Sequence, residues 1–320
     1  MDGIWLRLTL FLFDLVLPIC AGFVLVRMGR VTERRLDWLM ESALIGVLPI
    51  TAGLSIWILE LQWQLIWLPV LGLVMQLIPG AVGLSRARTK GQNSLEKGSY
   101  LLSSILSNRG LVGGLSVFIL FGEEGFALSR LVLMLGLPVL FIFCFPMARY
   151  FHAAHHGRTT DSPTILSTLL DRRQMPLVGF AIGLSLNFGG IERPETLGYV
   201  FQILIHVVAW CFLMHIGGSI NFTEIRGYMG QVADLVAIKF LLNPLVTLAL
   251  GWAVGLDAPV LAVTVMLACC PTAINAVIAS KLHKLNVHVA MAAFLLTTAV
   301  YVFVVFPLIL LVSMFLNGGS

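Results

Sequence analysis

The feature that most constrains this sequence is a series of long apolar stretches, which together take up most of its 320 residues. An apolar stretch of about 20 residues is long enough to cross a lipid bilayer as an α-helix. Membrane-spanning β-strands are shorter and alternate apolar with polar side chains, a pattern that these stretches lack. The sequence therefore predicts an all-α integral membrane protein. Its ten candidate spans are roughly residues 4–27, 36–59, 63–84, 99–121, 126–150, 175–190, 196–220, 232–254, 259–281 and 287–316.

The composition argues against several other classes of protein. Only 11% of the residues are charged, against about 25% in a typical soluble domain. The net charge of +4 is small and its positive residues lie in short connections, so we expect no nucleic-acid partner. All five cysteines lie inside apolar stretches, where they are expected to pack rather than to form disulfides. The sequence has no nucleotide-binding loop, metal-ligand cluster or catalytic triad, and we expect neither a cofactor nor an enzyme.

The distribution of Lys and Arg predicts how the chain crosses the membrane, because cytoplasmic loops are enriched in these residues. The connections after the odd-numbered spans carry most of them, whereas the opposite side carries Arg7, Arg193 and, at the edge of a span, Arg130. This asymmetry places both termini on the non-cytoplasmic side of a cell membrane. The positive residues of the cytoplasmic connections are Arg27, Arg30, Arg34, Arg35, Arg86, Arg88, Lys90, Lys97, Arg149, Arg158, Arg172, Arg173, Arg226, Lys281 and Lys284.

Ten spans divide into two sets of five, residues 1–150 and 175–320, joined by a cytoplasmic connection over residues 151–174. An odd number of spans per set means that the second set enters the membrane upside down relative to the first. Inverted repeats of this kind are typical of secondary transporters, in which corresponding helices of the two halves are interrupted and cross at the substrate site.

The fourth and ninth spans both carry helix-breaking and polar residues near their middles. They read Ser107-Asn-Arg-Gly-Leu-Val-Gly-Gly114 and Cys269-Cys-Pro-Thr-Ala-Ile-Asn275. Backbone groups freed at such a break must face protein or a polar cavity, and the N-termini of the half-helices are suited to bind a carboxylate. The alternative is that Gly110 and Gly114 form a packing face and that Pro271 only kinks its helix. The matched positions of the two breaks favour a substrate site.

Motifs along nearly the whole chain resemble the auxin efflux carrier family, which includes the plant PIN carriers and bacterial malonate- and malate-type carriers. Each motif is weak by itself, and their order and spacing make the set more specific. They are Leu17-Pro18 with Gly22, Arg27, Gly29 and Arg30, then Leu48-Pro49, Asn108 with Gly113, Phe121-Gly-Glu-Glu-Gly125, Lys239 with Pro244, Pro271 through Ala279, Asn286-Val-His288 and Thr297-Thr298.

This resemblance implies a scaffold of spans 1, 2, 6 and 7, a mobile unit of spans 3–5 and 8–10, an elevator-type movement, and a homodimer formed through the scaffold. It also implies that Asn108 and the segment from Pro271 to Asn275 hold the substrate carboxylate. The sequence departs from the family where Gly113-Gly114-Leu115 replaces a proline motif after the asparagine, and where Asn275-Ala276 replaces a second proline. The candidate substrate-binding residues are Asn108, Arg109, Gly110, Gly113, Pro271, Thr272 and Asn275.

Arg109 is a candidate ligand because a charge in the middle of a membrane is costly and needs a counter-charge or a structural role. Its fork of N–H donors suits an anionic substrate, and the alternative is a brace to backbone carbonyls. Asp14 in span 1 is either a structural partner of a buried cation or a protonatable coupling group. Lys239, one helical turn from Asn243, either neutralises substrate or reaches toward the inner surface.

Two further polar residues lie within spans. His206 can relay protons near neutral pH, although a hydrogen bond to a neighbouring helix is the commoner role of a buried histidine. Gln76 is a candidate for the cavity wall. We expect Arg130 to pair with Glu123 or Glu124. The candidate coupling or cavity residues are thus Asp14, Gln76, Lys239, Asn243 and His206.

The function that these features favour is secondary transport of a small organic anion, a carboxylate. A sodium-coupled symporter of the bile-acid type remains an alternative within transport, although the crossover segments lack an acidic residue to bind sodium. A membrane-embedded sensor that binds a ligand without moving it is the alternative outside transport. The expected partners are the substrate anion, the lipid bilayer and a second copy of the chain.

Overall fold

The computed structural model describes residue 9 and residues 12–90, 93–157, 175–220 and 225–317, and the described part is almost entirely helical. The first residues of span 1 and residues 158–174 of the predicted cytoplasmic connection lie outside the described residues. The helices are α1 Leu17–Arg27, α2 Glu33–Ser42, α3 Leu48–Trp57, α4 Trp67–Thr89, α5 Ser94–Ile105, α6 Gly114–Leu133, α7 Gly136–Val139, α8 Phe145–His155, α9 Met175–Phe188, α10 Glu195–Gly218, α11 Met229–Val232, α12 Asp234–Ala237, α13 Asn243–Ala253, α14 Ala258–Ala268, α15 Ile274–Leu282, α16 Val287–Val300 and α17 Phe306–Asn317.

Short π-helical segments lengthen several of these helices. A π-helical turn contains an extra residue, so the side chains after it point to a different side of the helix. Such turns are frequent at functional sites. They are Leu12–Val16, Ala43–Val47, Arg109–Gly113, Leu140–Cys144, Ile238–Leu242 and Tyr301–Val305.

Six helical stretches among the described residues are long and apolar enough to cross a membrane. Together with the absence of any strand from the described part of the chain, they confirm the predicted class, an all-α protein of the multi-pass membrane type. The number of spans, the inverted repeat and the orientation remain predictions. The six stretches are Glu33–Trp57, Trp63–Thr89, Arg109–Leu133, Glu195–Gly218, Asp234–Ala253 and Val287–Val312.

The chain divides into two compact units, each made of segments that are distant in sequence. Unit 1 consists of Met1–Leu65, Gly110–Met134 and Leu166–Asn221, and unit 2 of Ile66–Arg109, Leu135–Ile165 and Phe222–Ser320. Unit 1 thus holds residues of predicted spans 1, 2, 6 and 7, together with residues 110–134. The boundaries of the units do not follow the two halves of the sequence.

Helices of unit 1 approach one another closely because glycines lie at their contacts. A Cβ atom on Gly179 of α9 would clash with the backbone carbonyl of Pro49, and one on Gly217 of α10 would clash with that of Ile19. Small residues at helix contacts let backbones pack closely in a membrane, where apolar side chains gain little by leaving lipid. The sequence therefore specifies close packing of α9 on α3 and of α10 on α1.

Gly122 divides α6 into two parts. Its φ of 67° lies in the left-handed region that favours glycine, and it breaks the helix within the Phe121–Gly125 motif. Unit 2 has its own apolar core between α5, the segment around Leu140 and α15, including Leu102, Cys144 and Ala276. This core surrounds the ends of the two interrupted helices described next.

Candidate substrate site

The two predicted helix interruptions are present, and their extended segments pair with each other inside unit 2. Helix α5 ends at Ile105, and α14 and α15 are separated between Ala268 and Ile274. Ser107 and Thr272 form an antiparallel bridge. The backbone N–H of Asn108 donates to the carbonyl of Pro271 at 2.7 Å, and that of Ala273 donates to Leu106 at 3.0 Å. Pairing satisfies backbone groups that the broken helices leave free.

Thr272 links this bridge to the interrupted helix α5 and to a further helix, α16. Its Oγ1 donates to the carbonyl of Ser103 at 3.2 Å, and its backbone N–H donates to Oγ1 of Thr297 at 2.9 Å. Thr297 in turn donates to the carbonyl of Ala293 in its own helix. The sequence motifs include Thr297 but give no sign of this role. Thr272 is therefore a structural member of the site through its hydroxyl as well as its backbone.

Lys239 is fully buried, which excludes the prediction that it reaches toward the inner surface. Its Nζ donates to the carbonyls of Ser104 and Leu106 and to Oγ of Ser107, at 2.9, 3.2 and 2.9 Å. These acceptors lie at the C-terminal end of α5 and just beyond it, where the helix dipole favours a positive charge. Lys239 thus caps the first half of the interrupted helix.

Arg109 is 2% exposed, and its guanidinium contacts α4. One Nη donates to the carbonyl of Gly72 at 2.9 Å, while Nε is buried without a hydrogen-bond partner. Lys239 bonds to Ser107, two residues before Arg109 in the chain, so the two cations belong to the same part of unit 2. Within the described part of the chain, neither cation forms a salt bridge to an Asp or Glu.

The side-chain amides of two polar residues in unit 2 donate hydrogen bonds to backbone carbonyls. Asn243 donates through Nδ2 to the carbonyl of Ala268, the last residue of α14, at 2.9 Å. Gln76 donates to Gly72 in its own helix at 3.3 Å, so it shares its acceptor with Arg109. Asn275, by contrast, is exposed. Asn243 thus supports the end of a broken helix, Gln76 lies beside the carbonyl that Arg109 contacts, and Asn275 is not buried.

Several buried hydroxyl groups of unit 2 have no hydrogen-bond partner. A buried polar atom without a partner is uncommon and requires an explanation, such as a bound ligand or water. The four hydroxyl oxygens belong to Ser99, Thr247, Ser280 and Thr298. Unit 2 is thus more polar inside than the apolar composition of its helices suggests.

The two glycines of the candidate set, Gly110 and Gly113, belong to unit 1. The carbonyl of Gly110 accepts a 2.7 Å hydrogen bond from Nη2 of Arg130, whose guanidinium also lies over the ring of Phe126. The predicted pairing of Arg130 with Glu123 or Glu124 is therefore wrong. Glu123 instead pairs with Arg193, which approaches it from the connection before α10.

Asp14 and His206, predicted separately, are brought together in unit 1. Oδ2 of Asp14 lies 2.6 Å from Nδ1 of His206, and Oδ1 accepts a hydrogen bond from Nε1 of Trp210 at 3.3 Å. Asp14 and His206 therefore belong to one cluster, and a structural role or a proton-binding role of either residue involves the other. Sequence reasoning missed Trp210, which lies one turn after His206 on α10.

Comparison with known proteins identifies no relative of this chain, because no model of a protein family and no curated protein matches it. The resemblance to the auxin efflux carriers therefore depends on the motifs alone.

Proposed function

We propose that this chain is a secondary transporter for a small organic anion, a carboxylate, of the auxin efflux carrier type. The observation that carries the proposal is the pair of buried cations in unit 2, Arg109 and Lys239, which lack a carboxylate partner among the described residues.

Hydrogen bonds to neutral oxygens engage Nζ of Lys239 and one Nη of Arg109, but they leave both charges uncompensated and Nε of Arg109 without a partner. Two like charges buried near each other in a low-dielectric interior are costly, and a bound anion lowers that cost. The two residues also adjoin the paired breaks, since Arg109 follows Asn108 and Lys239 holds the end of α5. An anion at the paired breaks would therefore bind directly to Arg109. Lys239, whose ammonium group already donates to α5 and Ser107, would stabilise the anion through its positive charge.

The resemblance supplies the mechanism that we propose. Substrate-holding spans move relative to a scaffold, as in an elevator, and expose the site to either side of the membrane in turn. By the same resemblance, Asn108 and the segment from Pro271 to Asn275 hold the carboxylate, and Arg109 orients it. The same resemblance supports a homodimer formed through spans 1, 2, 6 and 7. The distribution of Lys and Arg supports a cell membrane location with both termini on the non-cytoplasmic side.

The proposal is tested by the thermal stability of the purified protein against a panel of mono- and dicarboxylates, with sodium and pH varied independently. A ligand at a hundredfold excess over its Kd stabilises the folded state by about 2.7 kcal/mol. We expect one class of carboxylate to raise the unfolding temperature of the wild type and of Arg88→Gln, which removes an exposed cation. Arg109→Gln is expected to lose the response.

Uptake of the identified carboxylate into proteoliposomes then separates the alternatives. Uptake that requires sodium favours the bile-acid type of symporter, and binding without uptake favours a sensor. A folded protein that responds to no carboxylate contradicts the proposal. A double variant, Asn108→Ala with Pro271→Ala, that transports as well as the wild type contradicts the location of the site.

A further inference from the structure

A buried carboxylate and an imidazole form a pair inside unit 1. Asp14 is completely buried, and both of its oxygens face N–H groups of α10, Oδ2 at Nδ1 of His206 and Oδ1 at Nε1 of Trp210. An ionised carboxylate only accepts hydrogen bonds, so Nδ1 of His206 must carry the proton that it shares with Asp14. The basic nitrogen of the ring is then Nε2.

The net charge of this pair depends on whether Nε2 carries a proton. Without the proton the pair has a net charge of −1, and with it the charges of carboxylate and imidazolium balance. His206 is the twelfth residue of the 24-residue helix Glu195–Gly218, which places it about 17 Å along the axis from either end. A net charge at that depth of a membrane-spanning helix is costly, and uptake of a proton removes it.

Within the described ranges, the charged groups on the elements packed against α10 do not take over this compensation. Against α10 pack α1, α2, α3 and the turns Leu12–Val16 and Ala43–Val47, and the ring of Phe118 from α6 meets His206 edge-on. The helix α3 and the turn Ala43–Val47 carry no titratable side chain. The titratable groups on the remaining elements are Cys20 and Arg27 on α1, Glu33, Arg34, Arg35, Asp37 and Glu41 on α2, Glu123, Glu124 and Arg130 on α6, and Glu195, Tyr199, Cys211 and His215 on α10.

The nearest of these groups along the helices are engaged elsewhere or carry no charge. His215 lies nine residues beyond His206 on α10 and pairs with Asp37, a separation of about 13 Å along the axis. Arg27 follows Asp14 by thirteen residues and lies over the ring of Phe23. Glu123 pairs with Arg193. Among the residues that the structure describes, His206 is therefore the group that balances the charge of Asp14.

The geometry selects a proton over a metal ion as the bound cation. Sodium and similar cations need several oxygen ligands, whereas both oxygens of Asp14 already accept N–H groups. The imidazole side chain is 36% exposed while the carboxylate is 0% exposed, so the ring is the part of the pair that lies at the surface of the protein. We propose that Asp14, His206 and Trp210 form a proton-binding site, in which Nε2 of His206 takes up and releases the proton while Nδ1–H stays on Asp14.

The site is tested by nitrogen NMR of the whole protein, isotopically labelled only at its seven histidines. The signals absent from His206→Gln belong to His206. As the pH is lowered, these signals are expected to change from those of a neutral ring protonated at Nδ1 to those of a ring with both nitrogens protonated. In Asp14→Leu, which has no acceptor at this position, the neutral ring is expected to lose its preference for Nδ1–H.

His215 provides a matched control in the same spectra. It meets the carboxylate of Asp37 through Nε2 rather than Nδ1, at 2.8 Å, and is assigned with His215→Gln. Its neutral form is therefore expected to be protonated at Nε2, the opposite tautomer. A His206 ring that keeps one protonation state at every pH at which the protein stays folded, or whose neutral form carries its proton at Nε2, overturns the proposal. If Asp14→Leu does not fold, the tautomer and titration of the wild type decide. This test uses no substrate, so its outcome is independent of the proposed transport function.

Discussion

The backbone N–H of Asn108 donates a 2.7 Å hydrogen bond to the carbonyl of Pro271. Proline has no N–H of its own to offer to a paired strand, and here its carbonyl makes the link. The backbone N–H of Asn108 is thereby used inside the protein and is not available to a carboxylate. A substrate at the paired breaks must therefore be held by side chains and by other backbone groups than the N–H of Asn108.

Thr272→Val is predicted to loosen the pairing of the two breaks. The change keeps the shape of the side chain but removes the hydrogen bond from Oγ1 to Ser103, which costs about 0.5–1.5 kcal/mol. Thr264→Val is the matched control, because Thr264 is equally buried and its hydroxyl bonds only to Val260, one turn back in its own helix. Thermal unfolding should show the larger loss in Thr272→Val, accompanied by weaker stabilisation by carboxylates. Equal losses in the two variants would contradict a special role of Thr272.

Gly179→Ala is predicted to destabilise unit 1 by about 1–3 kcal/mol or more, the usual cost of overpacking. The new Cβ meets the backbone of Pro49, which cannot move aside as a flexible side chain can. Gly46→Ala is the control, since a Cβ there has nothing within 4 Å, and loss of a flexible glycine changes stability little or raises it by about 0.5 kcal/mol. The midpoints of thermal or denaturant unfolding compare the two. A Gly179→Ala protein as stable as the wild type would show that α3 and α9 are not packed so closely.

The sequence predicts the local features of this protein well. Long apolar stretches give the helical membrane class, and Gly and Pro within spans mark both interruptions, because these residues alter the backbone wherever they stand. The sequence does not predict which side chains pair when they are far apart in the chain. Asp14 and His206 are 192 residues apart, and each can be singled out by its charge without any indication that they meet.

Two errors have the same physical origin. Arg130 is close in sequence to Glu123, but Gly122 turns the chain and Glu123 meets Arg193, which comes from a segment 70 residues away. Of the two roles that the sequence leaves open for Lys239, the reach toward the inner surface is wrong, because Lys239 is buried and caps the end of α5. Which helix packs beside which determines both contacts, and hydrophobic pattern alone does not specify that arrangement.

The Glu123–Arg193 pair gives a prediction of coupling. Two hydrogen bonds join its ions, Nη1 of Arg193 also donates to the carbonyl of Leu54, and the side chains are only 16% and 9% exposed. Arg193→Gln leaves a largely buried carboxylate unpaired, and we expect a loss of about 2–3 kcal/mol, below the range for a completely buried pair.

A double-mutant cycle measures this coupling. Glu123→Gln with Arg193→Gln removes both charges and should be less destabilised than the sum of the two single variants. Arg88→Gln, at an exposed position, should change stability by no more than about 0.5 kcal/mol. Additive losses in the cycle would mean that the pair contributes nothing beyond its separate side chains.

His283 is predicted to make the protein less stable in acid. It lies in the connection between α15 and α16, outside the apolar stretches, and its ring packs edge-on against Phe145 at 4.9 Å. Burial, with smaller contributions from Arg149 and His152, lowers the pKa of His283 from 6.5 to about 4. The folded state therefore keeps the ring neutral, while the unfolded state takes up a proton below about pH 6.5.

The sign of the effect follows from this difference in bound protons. Between pH 6.5 and about 4 the unfolded state binds more protons at this position, so the stability contributed by neutral His283 is complete above that window and is lost as the pH falls through it. His283→Gln cannot titrate and should show a weaker fall in unfolding temperature over this window than the wild type. His155→Gln, at an exposed position, should follow the wild type. If His283→Gln and the wild type lose stability in parallel, the ring of His283 is not held neutral by its surroundings.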